Sequence, residues 1–316
     1  MSDFDLTKAR VTVYEPSLVN RQTVLATLYG AGFQDIDVVT DIEAVPRILD
    51  REIWDVVVVD VTDPESDVYR MLPDLRRGFI GANPFAALLG TTWNVTPQVI
   101  QQSVAAGVDD LIARPFSIGQ IAKRMDGFIK HRRDFMVSAE YVGPEQKGME
   151  TSGDLIRMEI PNTLRGRTAP SVKPYNARLV VEQAQAVLNG TIASAYVVEL
   201  KAAFLDLFES GKTAVSAPRE WQRLDEALRR LADFAERYDM REINVLSGPL
   251  LKFVAAGKDR GLNSAQLKEL VVHLLDAMAV AVRPGQGGKG QQDAAAAGIA
   301  NMIIANQDRL LRDLIA

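Results

Sequence analysis

The sequence predicts an α/β domain with a five-stranded, doubly wound parallel sheet, followed by an all-α helical domain. Through about residue 135, short β-branched runs alternate with amphipathic segments of about ten to fifteen residues, which is typical of parallel βα units. The runs are almost wholly apolar, as expected of strands whose two faces are both covered by helices. From about residue 176 onward only the helical period of apolar residues remains.

Five βα units follow one another in the first 135 residues. The predicted strands are RVTVY (10–14), DVV (37–39), DVVVVD (55–60), FAALLG (85–90) and DDLIA (109–113). The predicted helices cover 17–29, 42–49, 69–77 and 97–106, and a last one begins at Ser117. Because each strand is followed by a helix, the strands are expected to pair in parallel.

Residues 136–175 are predicted to be a linker, or a tail that lies over a neighbouring domain. Prolines at 144, 161, 170 and 174 and glycines at 143, 148, 153 and 166 interrupt every candidate element there. In the helical domain, 176–316, two apolar stripes mark helices. They contain Trp221, Leu224, Leu228, Leu231 and Tyr238, and Leu267, Leu270, Val271, Leu274 and Met278. About six helices fit, with PGQGGKGQQ (284–292) as a flexible break before the last.

The composition disfavours several classes of function. With 36 Lys and Arg against 41 Asp and Glu, the net charge of -5 gives no general attraction to nucleic acid or anionic lipid. The absence of cysteine excludes disulfides, thiolate zinc sites and cysteine nucleophiles, and it fits a reducing compartment. Because no apolar run approaches the roughly 20 residues of a membrane span and the start is not a signal peptide, we expect a cytoplasmic protein without membrane insertion.

Polar residues stand at the ends of four predicted strands. They are Tyr14 and Glu15, Asp60, Thr91 and Thr92, and Arg114 with Pro115. The carboxyl ends of parallel strands meet at one edge of a sheet, where ligands bind at the point at which the strand order reverses. Two carboxylates, hydroxyls and a cation in one crevice suit phosphoryl chemistry, since a carboxylate can attack phosphorus while a hydroxyl and a cation stabilise the phosphoryl oxygens. Carboxylate oxygens also suit a hard divalent metal.

Five motifs lie at these strand ends or beside them: VTVYEPS, DVVVVDVTDP, GTT, AAGVDDL and ARPFS. Over residues 10 to about 130 they closely resemble the receiver domain of two-component response regulators. The resemblance implies that Asp60 accepts a phosphoryl group from a histidine kinase or phosphotransfer protein. It implies a magnesium ion held by Glu15, Asp60 and the backbone carbonyl of Thr62. It also implies phosphoryl contacts from Arg114 and from Thr92, with Thr91 as the alternative, and a cis bond before Pro115.

Three positions depart from the pattern of that family. Tyr14 stands where one of two metal-binding acids is usual, so any magnesium binding is expected to be weak. Arg114 replaces the usual lysine by a longer, planar cation. Leu111 stands where many receivers carry an aromatic switch residue. Two functions therefore stay open: a response regulator phosphorylated on Asp60, and a pseudo-receiver scaffold or adaptor that acts by protein contact alone.

The single residues also have simpler explanations. Asp60 alone would be read as a turn former, Thr91 and Thr92 as helix caps, and Arg114 as a surface ion-pair partner. His273, in ELVVHLLDAM, raises the idea of a histidine phosphotransfer site, but the residues that follow it are Leu, Leu and Asp, so a core or interface face is the simpler interpretation. An enzyme on a flavodoxin-like fold is disfavoured because no Gly-rich phosphate loop follows the first strand.

The helical domain is predicted to act by protein contact. Residues 176–316 contain 17 Lys and Arg and 17 Asp and Glu, so they form no basic stripe for DNA. The apolar faces of IASAYVVELKAAFLDLF (192–208) and AAAAGIANMIIA (294–305) are broader than a lone surface helix tolerates. We therefore expect a non-enzymatic, atypical response regulator that forms a homo-oligomer and contacts a protein output partner, without binding nucleic acid.

Overall fold

The chain forms two compact units in the computed structural model, which describes residues 4–146, 155–169, 175–210, 216–257 and 265–282. One unit comprises residues 1–151 and 157–188, and the other comprises residues 152–156 and 189–316. The first unit contains the α/β fold and the second is helical. The predicted fold class is therefore confirmed.

The sheet of the first unit has five parallel strands. They are β1 (Arg10–Tyr14), β2 (Asp35–Val39), β3 (Val56–Asp60), β4 (Ala87–Thr92) and β5 (Asp110–Ala113). Their order in the sheet is β2-β1-β3-β4-β5. The chain moves outward from β1 to β2 and then crosses back to β3, so the direction of winding reverses between β1 and β3. A crevice opens beyond the carboxyl ends of the strands at such a point.

Helices cover both faces of this sheet. They are α1 (Leu18–Gly30), α2 (Val45–Arg51), α3 (Val68–Arg76), α4 (Pro97–Ala105) and α5 (Ile118–Lys130). Three of them are preceded by a capping residue whose side chain accepts a hydrogen bond from the backbone N–H three residues later. These capping residues are Ser17, Thr96 and Ser117. The predicted strands and helices of this region are all present, with ends that differ by a few residues.

The burial of the four valines of β3 explains why this strand is apolar throughout. Val57 and Val59 belong to one buried cluster, while Val56 and Val58 belong to another. Successive side chains of a strand point to opposite faces, so a strand covered on both sides needs an apolar residue at every position. Asp60, the last residue of β3, is the first position at which an apolar side chain is no longer required.

Residues 135–169, predicted largely as a linker, contribute ordered elements. These are β6 (Phe135–Val137), β7 (Val142–Pro144), β8 (Ile156–Met158) and α6 (Thr163–Thr168), and the strands form a small sheet in the order β7-β6-β8. Strands of three residues are too short to show an alternating pattern, and β7 is itself built of Val, Gly and Pro. Gly107, at φ 78°, allows β7 to approach, because a Cβ there would lie 3.0 Å from the carbonyl oxygen of Val142. The segment that contains β6 and β7 is thus part of the first unit.

The remaining helices are α7 (Ala177–Ser210), α8 (Pro218–Arg237), α9 (Arg241–Gly257) and α10 (Ala265–Ala281). The α8 stripe is buried from Trp221 to Leu231, and Tyr238 is partly buried just beyond the helix. On α10, Val271, Leu274 and Met278 are buried. The side chains of Leu267 and Leu270, the break at 284–292 and the last predicted helix lie outside the described residues. Within the described ranges, no helix has both the length and the apolar character to cross a bilayer.

Candidate functional site

Asp60 is the last residue of β3, and its carboxylate is 18% exposed. Its Oδ1 accepts hydrogen bonds from the backbone N–H of Thr62 at 3.2 Å and from the Thr62 hydroxyl at 2.6 Å. One carboxylate oxygen is therefore fixed by the turn that follows the strand. The acid nevertheless stays accessible to solvent, which a nucleophile that meets a partner protein requires.

Glu15 directly follows β1 and is fully buried. Its Oε1 accepts a hydrogen bond from the backbone N–H of Ser17 at 2.9 Å, and its Oε2 accepts one from Arg114. A carboxylate removed from water is costly unless it is paired in this way. Both oxygens of Glu15 are thus engaged by groups of the chain itself.

Arg114 directly follows β5, and the peptide bond between Arg114 and Pro115 is cis. Its Nη2 donates to Glu15 and to the hydroxyl of Thr91, and it lies 3.6 Å from Oδ1 of Asp60. Its Nε and Nη1 are buried and have no hydrogen-bond acceptor among the residues that the structure describes. The guanidinium therefore joins both acids and still holds two unused donors.

The two threonines at the end of β4 have different neighbours. Thr91 pairs with Asp60 across the sheet, and its hydroxyl donates to the carbonyl of Val59 at 3.3 Å while it accepts from Arg114. The Thr92 hydroxyl instead bonds both the N–H and the C=O of Asn94, each at 3.1 Å. The structure thus places Thr91, the alternative in the sequence-based prediction, against the cation of the crevice.

Tyr14, in the place of the missing acid, is mostly buried. Burial raises the pKa of its hydroxyl, and the charge of Asp60 raises this pKa further. The phenol therefore stays neutral and supplies no carboxylate. Leu111, where an aromatic switch residue is usual, is partly buried and packs against the apolar cluster under the sheet.

Trp93 is a crevice residue that the sequence reasoning did not single out. It is 50% exposed, and its backbone N–H donates to the hydroxyl of Thr62 at 3.3 Å. The backbone of Trp93 is therefore hydrogen-bonded to Thr62, whose hydroxyl also holds the carboxylate of Asp60. Its position in the sequence could have identified it. A tryptophan directly after the strand end GTT stands where the buried strand ends and the crevice begins.

The predicted magnesium ligands fit a divalent cation poorly as they are folded. Magnesium needs a near-ideal octahedron of oxygen ligands. Tyr14 contributes no carboxylate, both oxygens of Glu15 are engaged, and a guanidinium lies beside both Glu15 and Asp60. In the described part of the chain, no group of three or more His, Cys, Asp or Glu side chains forms a metal cluster. Weak magnesium binding stays a prediction.

Solved receiver domains resemble the N-terminal part of the chain. The receiver domain of a sensor histidine kinase from Pseudomonas aeruginosa, with a magnesium ion in its active-site cleft, is 22% identical over 38% of this chain and 95% of that chain, with a TM-score of 0.33. For the chemotaxis protein CheY4 of Vibrio cholerae the values are 23%, 37%, 95% and 0.33. For a response regulator from Thermotoga maritima they are 25%, 37%, 93% and 0.33. No protein-family model and no curated protein matches the chain.

Proposed function

We propose that the chain is an atypical response regulator that accepts a phosphoryl group on Asp60 in two-component phosphorelay signalling. The observation that carries the proposal is the meeting of Asp60, Glu15, Thr91 and Arg114 at the point where the sheet reverses its winding. This arrangement supplies an accessible carboxylate nucleophile next to a cation and a hydroxyl. The motifs shared with receiver domains support the same assignment.

The proposed step transfers a phosphoryl group to Asp60 from a histidine of a kinase or phosphotransfer protein. An oxygen of Asp60 forms a bond to phosphorus while the bond between phosphorus and the histidine nitrogen breaks, and that nitrogen leaves with the electron pair. Because Oδ1 is held by Thr62, we assign the attack to Oδ2. Arg114, 3.6 Å from this carboxylate, stabilises the charge of the phosphoryl oxygens.

The output is proposed to run through protein contacts of the helical unit, without enzymatic activity. The apolar stripe of α8 is buried, whereas Val198 on α7 and Val245 on α9 remain exposed. The balanced charge of residues 176–316 favours a protein partner or a second copy of the chain over nucleic acid. A cysteine-free chain of this kind would act in the cytoplasm.

The test is incubation of the full chain with millimolar magnesium and acetyl phosphate, followed by mass spectrometry. We expect a mass gain of one phosphoryl group that Asp60→Asn abolishes. Asp63→Asn is the matched control, because Asp63 lies in the same turn and its carboxylate accepts a hydrogen bond from the backbone N–H of Glu65. Absence of any gain in the unmodified chain, or a gain that persists in Asp60→Asn, would refute the proposal.

A second candidate is a phosphorylation-independent pseudo-receiver that serves as a scaffold or adaptor. The pairing of Glu15 with Arg114 favours it, since the buried acid is already neutralised without any ligand. In that case the unmodified chain gains no mass with the phosphodonor. Asp60→Asn then also leaves the oligomeric state in solution unchanged, as measured by light scattering.

A further inference from the structure

One guanidinium nitrogen occupies the space between the two acids of the crevice. Nη2 of Arg114 bonds Oε2 of Glu15 and lies 3.6 Å from Oδ1 of Asp60. A divalent metal bound by these two acids needs lone pairs on their oxygens. Because Oε1 of Glu15 is already bonded to Ser17, a metal at Oε2 would either share this oxygen with the guanidinium at short range or displace Arg114 from it.

This displacement is opposed by burial and by charge. The side chains of Arg114 and Glu15 are only 4% and 1% exposed, so separating them leaves two buried charges without their partner. A metal ion in the crevice would also repel the guanidinium at short range, where the local dielectric is low. An arginine cannot relieve this repulsion by losing its proton, whereas a lysine can.

The unused donors of Arg114 point to a different kind of ligand. Its Nε and Nη1 are buried without an acceptor in the described part of the chain, and unpaired buried donors cost free energy. The oxygens of an anion would pair them. A phosphoryl group on Asp60 carries such oxygens, and the planar guanidinium matches phosphate geometry.

We propose that Arg114 is the resident counter-cation of the crevice. It keeps divalent metal out, and it takes the electrostatic role of a metal toward a phosphoryl group on Asp60. Only the second half of this proposal rests on the proposed function. The first half concerns the folded, unmodified chain and stands or falls by metal binding alone.

Metal exclusion is tested by titrating the full chain with Mg²⁺ and following its binding by calorimetry. We expect no saturable binding to the unmodified chain at low millimolar Mg²⁺. Arg114→Ala should raise the affinity by on the order of 10- to 100-fold, the range over which neighbours of metal ligands typically act. Arg114→Lys should raise it by less, and it keeps the buried charge balanced should Arg114→Ala not fold.

Arg124→Lys is the matched control, because Arg124 pairs with Asp110 outside the crevice. It should leave Mg²⁺ binding at the level of the unmodified chain. Binding by the unmodified chain as tight as that of Arg114→Lys would overturn the inference. Metal bound elsewhere is recognised because Asp60→Asn does not weaken it.

The second half is tested with acetyl phosphate in EDTA and in Mg²⁺. We expect equal phosphorylation of Asp60 in both. Phosphorylation only in Mg²⁺ would overturn the inference while the proposed function stands. No phosphorylation in either, together with the expected Mg²⁺ titrations, would overturn the proposed function while the exclusion of metal by Arg114 stands.

Discussion

Two arginine–carboxylate clusters of the first unit lie at opposite ends of β5 and differ in how completely their groups are paired. Before the strand, Oδ2 of Asp109 accepts from Arg76 and from the backbone N–H of Leu88, each at 2.7 Å, and Oδ1 lies 2.8 Å from Nη1 of Arg132. After the strand, Arg114 contacts Glu15 and still has two nitrogens without an acceptor among the described residues.

Arg76 shows what a fully paired buried cation looks like. Besides Asp109, its nitrogens donate to the carbonyls of Gly107, Pro84 and Ala86 at 2.8–2.9 Å. Burial lowers the pKa of Arg76 to about 10, with Asp109 opposing the shift, so the guanidinium stays charged at neutral pH. Its Cζ also lies 4.9 Å from the ring centroid of Phe135, the first residue of β6. Each nitrogen of the Arg76 guanidinium thus donates to an acceptor, and the contact with Phe135 joins the segment of β6 and β7 to this cluster.

The comparison teaches that pairing, rather than burial or charge, separates the two roles. Both clusters contain a buried arginine and a buried acid. A saturated cluster has nothing left to offer a ligand, and its removal is expected to destabilise the unit strongly. A cluster with unused donors carries a free-energy cost in the folded state that a ligand can offset.

The largest predicted effect is the loss of Asp109. Asp109→Asn leaves Arg76 and Arg132 buried without their counter-ion, and we expect a loss of about 3–5 kcal/mol in the free energy of unfolding. Urea denaturation followed by tryptophan fluorescence would measure it, with Trp93→Phe and Trp221→Phe in the background so that the buried Trp54 alone reports on the first unit. Asp110→Asn is the neighbouring control, since its pair with Arg124 is partly exposed and should contribute less than about 1 kcal/mol. Equal losses in the two variants would contradict the comparison.

The same neighbouring pair shows where sequence reasoning stops. Asp109 and Asp110 are identical residues, and which of them is buried depends on how β5 enters the sheet beside β4. Arg132 stands in the motif KHRRD, which has the composition of a solvated helix end. Its side chain is nevertheless buried, because it pairs with Asp109 and donates to the carbonyls of Phe85 and Ala86, which are distant in the sequence. The saturated cluster was therefore invisible in the sequence.

More of the crevice than of the Asp109 cluster could be predicted from the sequence, because a general rule for parallel sheets gives the location of the crevice. The carboxyl ends of parallel strands converge, so Glu15, Asp60 and Arg114 could be brought together from the strand pattern alone. The choice between Thr91 and Thr92 could not, because a shift of one residue along a strand moves a side chain to the other face. That register is set by the pairing of Asp60 with Thr91.

A second prediction replaces both members of each pair. Glu15→Gln with Arg114→Met should change the free energy of unfolding by less than about 1.5 kcal/mol, because both charges of the buried pair are removed together and the glutamine can still accept from the backbone N–H of Ser17. Asp109→Asn with Arg76→Met should still be destabilising, since Arg132 loses its buried counter-ion and the carbonyls of Gly107 and Pro84 lose the Arg76 donor. Urea denaturation measures both. Loss of stability in the crevice variant comparable to the other would remove the distinction between the clusters.

A third prediction uses acid, because two buried aspartates have opposite pKa shifts. Burial raises the pKa of Asp55, and Arg167 opposes this only in part. Burial would also raise the pKa of Asp109, but Arg132 and Arg76 outweigh it and the pKa is lowered. The contribution of Asp109 is thus present above its unfolded pKa of about 3.9 and is lost as the pH falls through the lower folded value. For Asp55 the sign reverses, since the folded state binds its proton first.

The destabilisation caused by Asp109→Asn should therefore shrink below about pH 4, while that caused by Asp55→Asn should grow as the pH falls through the raised folded pKa of Asp55 toward the unfolded value of about 3.9. Urea denaturation at a series of pH values gives both curves. Parallel curves for the two variants would show that the partners of Asp109 do not control its ionisation.

The smallest effect decides which threonine serves the crevice. Thr91→Val removes a hydroxyl that Arg114 donates to, and Thr92→Val removes one that closes the turn at Asn94. Each should cost only about 0.5–1.5 kcal/mol, so stability does not separate them. The ¹⁵N resonance of the Arg114 Nε–H does, once it is assigned by its loss in Arg114→Lys. We expect it to shift in Thr91→Val and to stay in place in Thr92→Val. The reverse result would mean that β4 is offset by one residue, and Thr92, the first choice that the resemblance to receiver domains implied, would then be the threonine that serves the crevice.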